Sequence, residues 1–182
     1  RARRALSASL ERAASGSVML SQNKNTVIDL LGKATSSVEE GNYMEAEKKY
    51  IDVISIDPRN FEAYKGLGEV YLQQQDYVHA RASLSHALKI KPDEPEVHAD
   101  VAVAFKNLGR VNLALKSIEK AIELGGNNPK YLDVQTDLAI VAGDRYLAEK
   151  SLSKMREVNP ENQKINEFEE RVLQMKIKGN KS

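Results

Sequence analysis

The chain has 182 residues, of which 41% are hydrophobic and 29% charged, a balance typical of a soluble folded domain. It contains no cysteine, which excludes disulfides, thiolate metal sites and cysteine nucleophiles. The net charge of +1 predicts no general attraction to nucleic acid, and no apolar run is long enough to span a membrane.

The charge is concentrated at the two ends of the chain. Residues 1–25 carry a net +4 and residues 171–182 another +4, so the middle carries −7. Residues 1–26 are interpreted as a basic N-terminal arm or linker. The arm could dock on the acidic body, giving a homo-oligomer through residues 1–25, or could be a stub next to a membrane segment. Because the chain opens at Arg1 without a methionine, we expect it to be a fragment.

Several positions recur at an interval of 34 residues. The recurring positions form three ladders: Ala46, Ala80, Ala114 and Ala148; Tyr50, Leu84, Ile118 and Leu152; and Pro58, Pro92 and Pro160, with Gly126 in the remaining place. A period of this length indicates stacked helical units rather than a closed globule. Such an array offers a long curved surface.

Residues 61–94 show the clearest unit. Apolar and small residues recur at helical spacing in both halves, which predicts two amphipathic helices joined by a turn at Gln75 and Asp76. The motif reads Tyr64-x2-Leu67-Gly68-x2-Tyr71, then Ala80-x3-Leu84, then Pro92. This pattern resembles the tetratricopeptide repeat, a helix–turn–helix unit.

The resemblance implies an all-α fold, a right-handed α-solenoid. Four units are expected at 27–60, 61–94, 95–128 and 129–162, followed by a capping helix at 163–178 and a tail at 179–182. The first half of the first unit is degenerate, because Lys33 and Ser37 stand where large apolar residues are expected. Small residues (Ala34, Gly68, Ala102 and Thr136, facing the alanine ladder) are predicted to let the two helices of each unit approach closely.

Unit boundaries carry residues suited to helix ends. Gly41, Gly109 and Gly143 are expected to end the first helices, with Gln75 as the exception. Asparagine and aspartate are expected to cap the helices that follow, with Pro95 and Pro129 at first helical positions.

No pattern in the chain indicates catalysis. His79, His86 and His98 do not converge as zinc ligands would, and the serines lie on helices without a partnering base. We therefore predict no catalytic residue, no metal and no cofactor. The alternative is that the chain is an accessory region of an enzyme whose catalytic domain lies elsewhere.

The expected functional surface is the concave groove, which the first helices line in proteins of this resemblance. Helical phase predicts the following peptide-binding positions: Lys65, Glu69, Leu72, Gln73, Ala99, Val103, Lys106, Asn107, Asp133, Asp137 and Ile140. With Glu62, Glu96 and Lys130 included, the face carries a net −2. The expected ligand is a neutral to basic peptide, anchored near Leu72, Val103 and Ile140.

A groove that grips acidic chaperone tails would need a clamp of basic and amide groups. Lys65 and Lys130 fit that clamp, whereas Glu69, Asp100 and Val134 do not. The sequence therefore predicts a non-catalytic protein-binding module of another kind, without a nucleic-acid partner. The alternatives are a self-associating scaffold or a soluble fragment of a membrane-anchored assembly protein. The expected location is the cytoplasm, with membrane tethering only through a segment outside this chain.

Overall fold

The computed structural model describes residues 22–179, and within them the backbone forms nine α-helices and no strand. The helices are α1 (22–39), α2 (Tyr43–Ile56), α3 (Phe61–Gln73), α4 (Tyr77–Ile90), α5 (Pro95–Asn107), α6 (Val111–Gly125), α7 (Pro129–Ala142), α8 (Arg145–Val158) and α9 (Lys164–Gly179). Helix α1 begins earlier than residue 27, the expected start of the first unit. The rest of the predicted basic arm, residues 1–21, lies outside the described residues.

The helices pair in chain order and the pairs stack into a curved array. Each helix from α2 to α9 contacts the helix that follows it. First helices also contact one another, α3 with α5, α5 with α7, and α7 with α9, whereas α2, α4, α6 and α8 make no such contact among themselves. The array is therefore a helical-repeat solenoid of four pairs and a closing helix, with the first helices on its inner side.

Small residues permit the close crossing of the two helices in each pair. Ala34, Ala102 and Thr136 on the first helices are fully buried, as is the whole alanine ladder on the second helices. A Cβ atom at Gly68 would lie 2.5 Å from Leu84 Cγ, so this position has no room for a side chain. The predicted role of the small-residue ladder is confirmed.

Large apolar residues fill the space between pairs. Leu84 and Ile118 are fully buried, and Tyr50 and Leu152 are 6% exposed. Tyr50 reaches α3, where a Cβ atom on Gly66 would come within 2.3 Å of the tyrosine ring. Glycine at residue 66 therefore makes room for the ring that joins the first two pairs.

The turns inside the four pairs share one conformation. Gly41, Gly109 and Gly143 have φ values of 74°, 70° and 76°, and Gln75 at the equivalent position has φ 61°. A left-handed residue at this position ends the first helix. Asp76 and Asp144 then cap α4 and α8 by accepting from the backbone of His79 and Leu147.

Two irregular regions differ from the regular unit. Helix α1 packs through Val27 and Ala34 although Lys33 and Ser37 replace apolar residues; Lys33 pairs with Asp29 in solvent, and the Ser37 hydroxyl donates to the Lys33 carbonyl. At the other end, α9 buries Ile165, Phe168 and Val172 against α7 and α8. The predicted closing helix is confirmed. No helix in residues 22–179 has both the length and the apolar character needed to cross a bilayer.

Candidate functional site

Three hollows follow one another along the inner face. The N-terminal hollow, of about 360 Å³, lies between α1 and α3. The central hollow, of about 370 Å³, lies between α3, α5 and α7, and the C-terminal hollow, of about 230 Å³, lies between α5, α7 and α9. They mark a concave surface that is open to solvent and long enough for a peptide.

The central hollow combines an apolar floor with a carboxylate rim. Its lining comprises Glu69 from α3; Glu96, Ala99, Asp100 and Val103 from α5; and Asn128, Lys130, Tyr131 and Val134 from the start of α7. The spacing within α5 places Glu96, Asp100 and Val103 on one face, one turn apart. Three carboxyl groups therefore face a single apolar recess.

Asp100 is the carboxyl group most affected by this setting. Burial raises the pKa of Asp100 to about 7, and the nearby carboxylates of Glu69 and Glu96 add to the increase. No hydrogen bond to its carboxylate stabilises the charged form. At neutral pH the hollow therefore holds a carboxylate without a direct partner among the described residues, which is favourable for a cation from outside.

Lys65 partly neutralises the other two acids. Its ammonium lies 2.9 Å from Glu96 Oε2 and 3.7 Å from Glu69 Oε1. The hydrogen bond from Lys65 lowers the pKa of Glu96, whereas burial raises the pKa of Glu69 in spite of Lys65. The rim therefore keeps a negative excess near Glu69 and Asp100.

The C-terminal hollow is electrostatically satisfied. Asp137 lies 2.8 Å from both Lys106 Nζ and Arg171 Nη1. Asp133 accepts from the Asn162 side chain at 2.7 Å and lies 3.0 Å from Lys164 Nζ. These groups join α5, α7 and α9, so their evident role is to hold the closing helix.

The structure brings together most of the predicted groove residues and disperses the others. Seven of the eleven line the three hollows: Lys65, Glu69, Ala99, Val103, Lys106, Asp133 and Asp137. Leu72 packs into the cluster around Phe61 and Leu84, and Ile140 into the clusters under α9. Gln73 is exposed at the end of α3, and exposed Asn107 donates to the Val103 carbonyl. Of the three predicted anchors, Val103 alone lines the central hollow.

Sequence reasoning missed Tyr131 as a site residue and treated Asp100 and Val134 only as departures from a clamp. Asp100 lies one turn after Glu96 and Val134 one turn after Lys130, so extending the groove face of each helix by a turn would have found both. Tyr131 is 4% exposed, and its ring reads from sequence as core.

Comparison with known proteins places this geometry in a family. Two tetratricopeptide-repeat family models match the chain, one over residues 37–102 and the other over residues 95–128. Together they span half of it, and the chain belongs to the tetratricopeptide repeat family. Repeats of this family generally mediate protein–protein interaction and are in general not catalytic.

Individual relatives are distant and, where curated, much longer. The chain is 26% identical over 105 residues to cellulose synthase operon protein C of Pseudomonas fluorescens (strain SBW25), a stretch that covers 58% of this chain but 8% of that protein. A tetratricopeptide repeat protein from Parabacteroides merdae superposes with TM-score 0.76 at 20% identity, covering 86% of this chain and 61% of that one. The first repeat domain of Spaghetti (RPAP3), solved with the HSP90 peptide SRMEEVD, superposes with TM-score 0.63 at 19% identity, covering 65% and 94%.

Proposed function

We propose that this chain is a non-catalytic module that binds a neutral to basic peptide in its concave groove, with the central hollow as the main recognition point. The observation that carries the proposal is the partnerless carboxylate of Asp100, next to Glu69, above the apolar side chains of Val103, Tyr131 and Val134. A lysine or arginine side chain suits such a site, because its stem packs on apolar surface while its head meets the carboxylates.

The same geometry disfavours an acidic ligand. The Spaghetti (RPAP3) repeat domain was solved with an acidic peptide, SRMEEVD. In the present chain Glu69, Glu96 and Asp100 surround the central hollow, and Lys65 is already engaged by two of them. An acidic peptide would meet like charge there, which costs binding energy.

A pair of labelled peptide pools tests the proposal. Each pool holds peptides of about 12 residues with mixed apolar positions; one carries lysine and arginine at the variable positions and the other aspartate and glutamate. We expect saturable binding of the basic pool, measured by fluorescence anisotropy, and weakening with added salt. Tighter binding of the acidic pool to the groove would contradict the proposal.

The matched variant pair is Glu69→Gln with Asp100→Asn against Asp29→Asn with Glu123→Gln. Both pairs remove two carboxylates, but Asp29 and Glu123 lie in surface ion pairs on α1 and α6. The groove pair should weaken basic-pool binding about tenfold or more, and the control pair should leave it unchanged. Charge removal at Asp137 is avoided because that carboxylate holds α9.

A second candidate is self-association through the N-terminal segment. Residues 1–25 carry a net +4, and the central hollow offers the complementary charge. Deleting residues 1–21 and measuring molar mass by light scattering tests it. An oligomer that becomes a monomer on deletion supports the candidate, and the same mass for both forms rejects it.

A further inference from the structure

The convex side of the array carries exposed apolar side chains at regular intervals. Met44, Val78 and Tyr146 occupy the same position of three units, spaced by multiples of 34 residues, and are 80%, 55% and 75% exposed. In the remaining unit that position is Asn112, and its neighbour Leu113 is 45% exposed. Each unit thus contributes one large apolar side chain near the start of its second helix. We name these four residues the outer apolar row.

A row of cations runs beside the outer apolar row. Lys48, Arg81, Lys116 and Lys150 each lie three or four residues after the apolar residue of their unit, which places them on the same helix face, one turn further on. Within residues 22–179 none of the four forms an ion pair, whereas nearby acids are engaged: Glu45 pairs with Lys49, and Glu149 with Arg145. We name these four residues the outer basic row.

We propose that the two outer rows form a second binding surface, whose partner is an acidic segment with regularly spaced apolar side chains. Charge complementarity selects the acidic partner, because four unpaired cations stand in one line. The apolar row gives that partner an edge to bury, since exposed apolar residues in a contiguous array mark interaction surfaces. This surface lies on the second helices and is independent of the groove.

The curvature of the array favours a chain over a flat surface. Successive second helices do not contact one another, so the outer rows bend around the convex side. A planar bilayer would meet only part of such a line, whereas a flexible segment can follow it. Neighbouring second helices are separated by roughly 10 Å or more, so an extended segment would place an apolar residue at every third or fourth position. The N-terminal segment of this chain does not fit, because residues 1–21 are basic.

The test uses two immobilised pools of peptides of about 16 residues, with leucine, valine or phenylalanine at every fourth position. The remaining positions are mainly aspartate and glutamate in one pool and lysine in the other. The whole chain should bind the acidic pool about tenfold more tightly than the basic pool through the outer rows. No measurable retention on the acidic pool would overturn the proposal.

Variants locate the surface and separate it from the groove. Lys48→Glu with Lys116→Glu and Lys150→Glu should abolish retention on the acidic pool, and Met44→Ser with Val78→Ser and Tyr146→Ser should weaken it. The control Lys24→Glu with Arg59→Glu and Lys89→Glu makes the same change in net charge at exposed residues and should bind as the unmodified chain does. The groove pair Glu69→Gln with Asp100→Asn should also retain binding. Equal retention by the triple lysine variant and its control would refute the surface.

Two rival occupants are resolved in the same experiment. Vesicles of phosphatidylglycerol and phosphatidylcholine are added in a sedimentation assay, and the molar mass of the protein is followed against concentration. Vesicle binding or self-association that is lost in the triple lysine variant, without retention on acidic peptides, would replace the proposed partner by a membrane or a second copy.

Discussion

Lys106 on α5 reaches Asp137 on α7 at 2.8 Å, and the two residues are 31 positions apart in the chain. Lys65 and Glu96 repeat the same interval one unit earlier, at 2.9 Å. Cross-unit bridges of this kind use groove-facing side chains to join neighbouring first helices. Groove charge therefore divides into a structural part, near Asp137, and an available part, near Asp100.

Asp137→Asn should destabilise the chain at neutral pH. Burial raises the Asp137 pKa, but hydrogen bonds from Lys106 and Arg171 outweigh it and leave the pKa lowered. A carboxyl group whose pKa is lowered on folding contributes stability above its unfolded pKa and loses it as pH falls through the folded pKa. The cost should be about 1–2 kcal/mol in urea unfolding at pH 7 and should vanish in acid. Asp29→Asn, in an exposed pair, should cost almost nothing.

Asp100→Asn should have the opposite effect. Burial raises the Asp100 pKa to about 7, so folding favours the protonated form. Its contribution to stability is lost as pH rises from the unfolded pKa to about 7, which means that the charged wild-type residue is unfavourable above that range. The variant should be more stable by roughly 1–3 kcal/mol at alkaline pH, with the gain shrinking toward about pH 4. A gain that is independent of pH would contradict the assignment.

Gln75→Gly should stabilise the turn between α3 and α4. Gln75 has φ 61°, a conformation that costs a residue with a side chain roughly 1 kcal/mol relative to glycine. Part of this gain is offset by the greater freedom of glycine in the unfolded chain. Thermal unfolding should show a higher midpoint for Gln75→Gly and a lower one for Gln74→Gly, because Gln74 has φ −78°.

Gly68→Ala should destabilise the second unit although alanine favours helices. The added Cβ would lie 2.5 Å from Leu84 Cγ, and Leu84 is fully buried. Overpacking of this kind costs about 1–3 kcal/mol, more than the roughly 1 kcal/mol gained in helix propensity. Gly32→Ala is the control, since nothing lies within 4 Å of its Cβ position, and it should stabilise.

The sequence was sufficient to predict the array because its ladders record packing directly. Ala80 and Leu84 recur every 34 residues where helices cross and where units meet, and a period is visible without any knowledge of the partners. The site was less predictable, because helical phase tells which face a residue is on but not what it touches. Leu72 and Ile140 lie near the groove face and still pack inward, and Asp137 finds its cations on two other helices.

The most direct test of groove binding is a map of backbone amide shifts in a ¹⁵N-labelled sample titrated with the basic peptide pool. We predict that saturable shifts cluster around Glu69, Ala99, Asp100, Val103 and Val134, and that Glu69→Gln with Asp100→Asn suppresses them. Saturable shifts confined to α2, α4, α6 and α8, or unchanged affinity in that variant, would contradict the account.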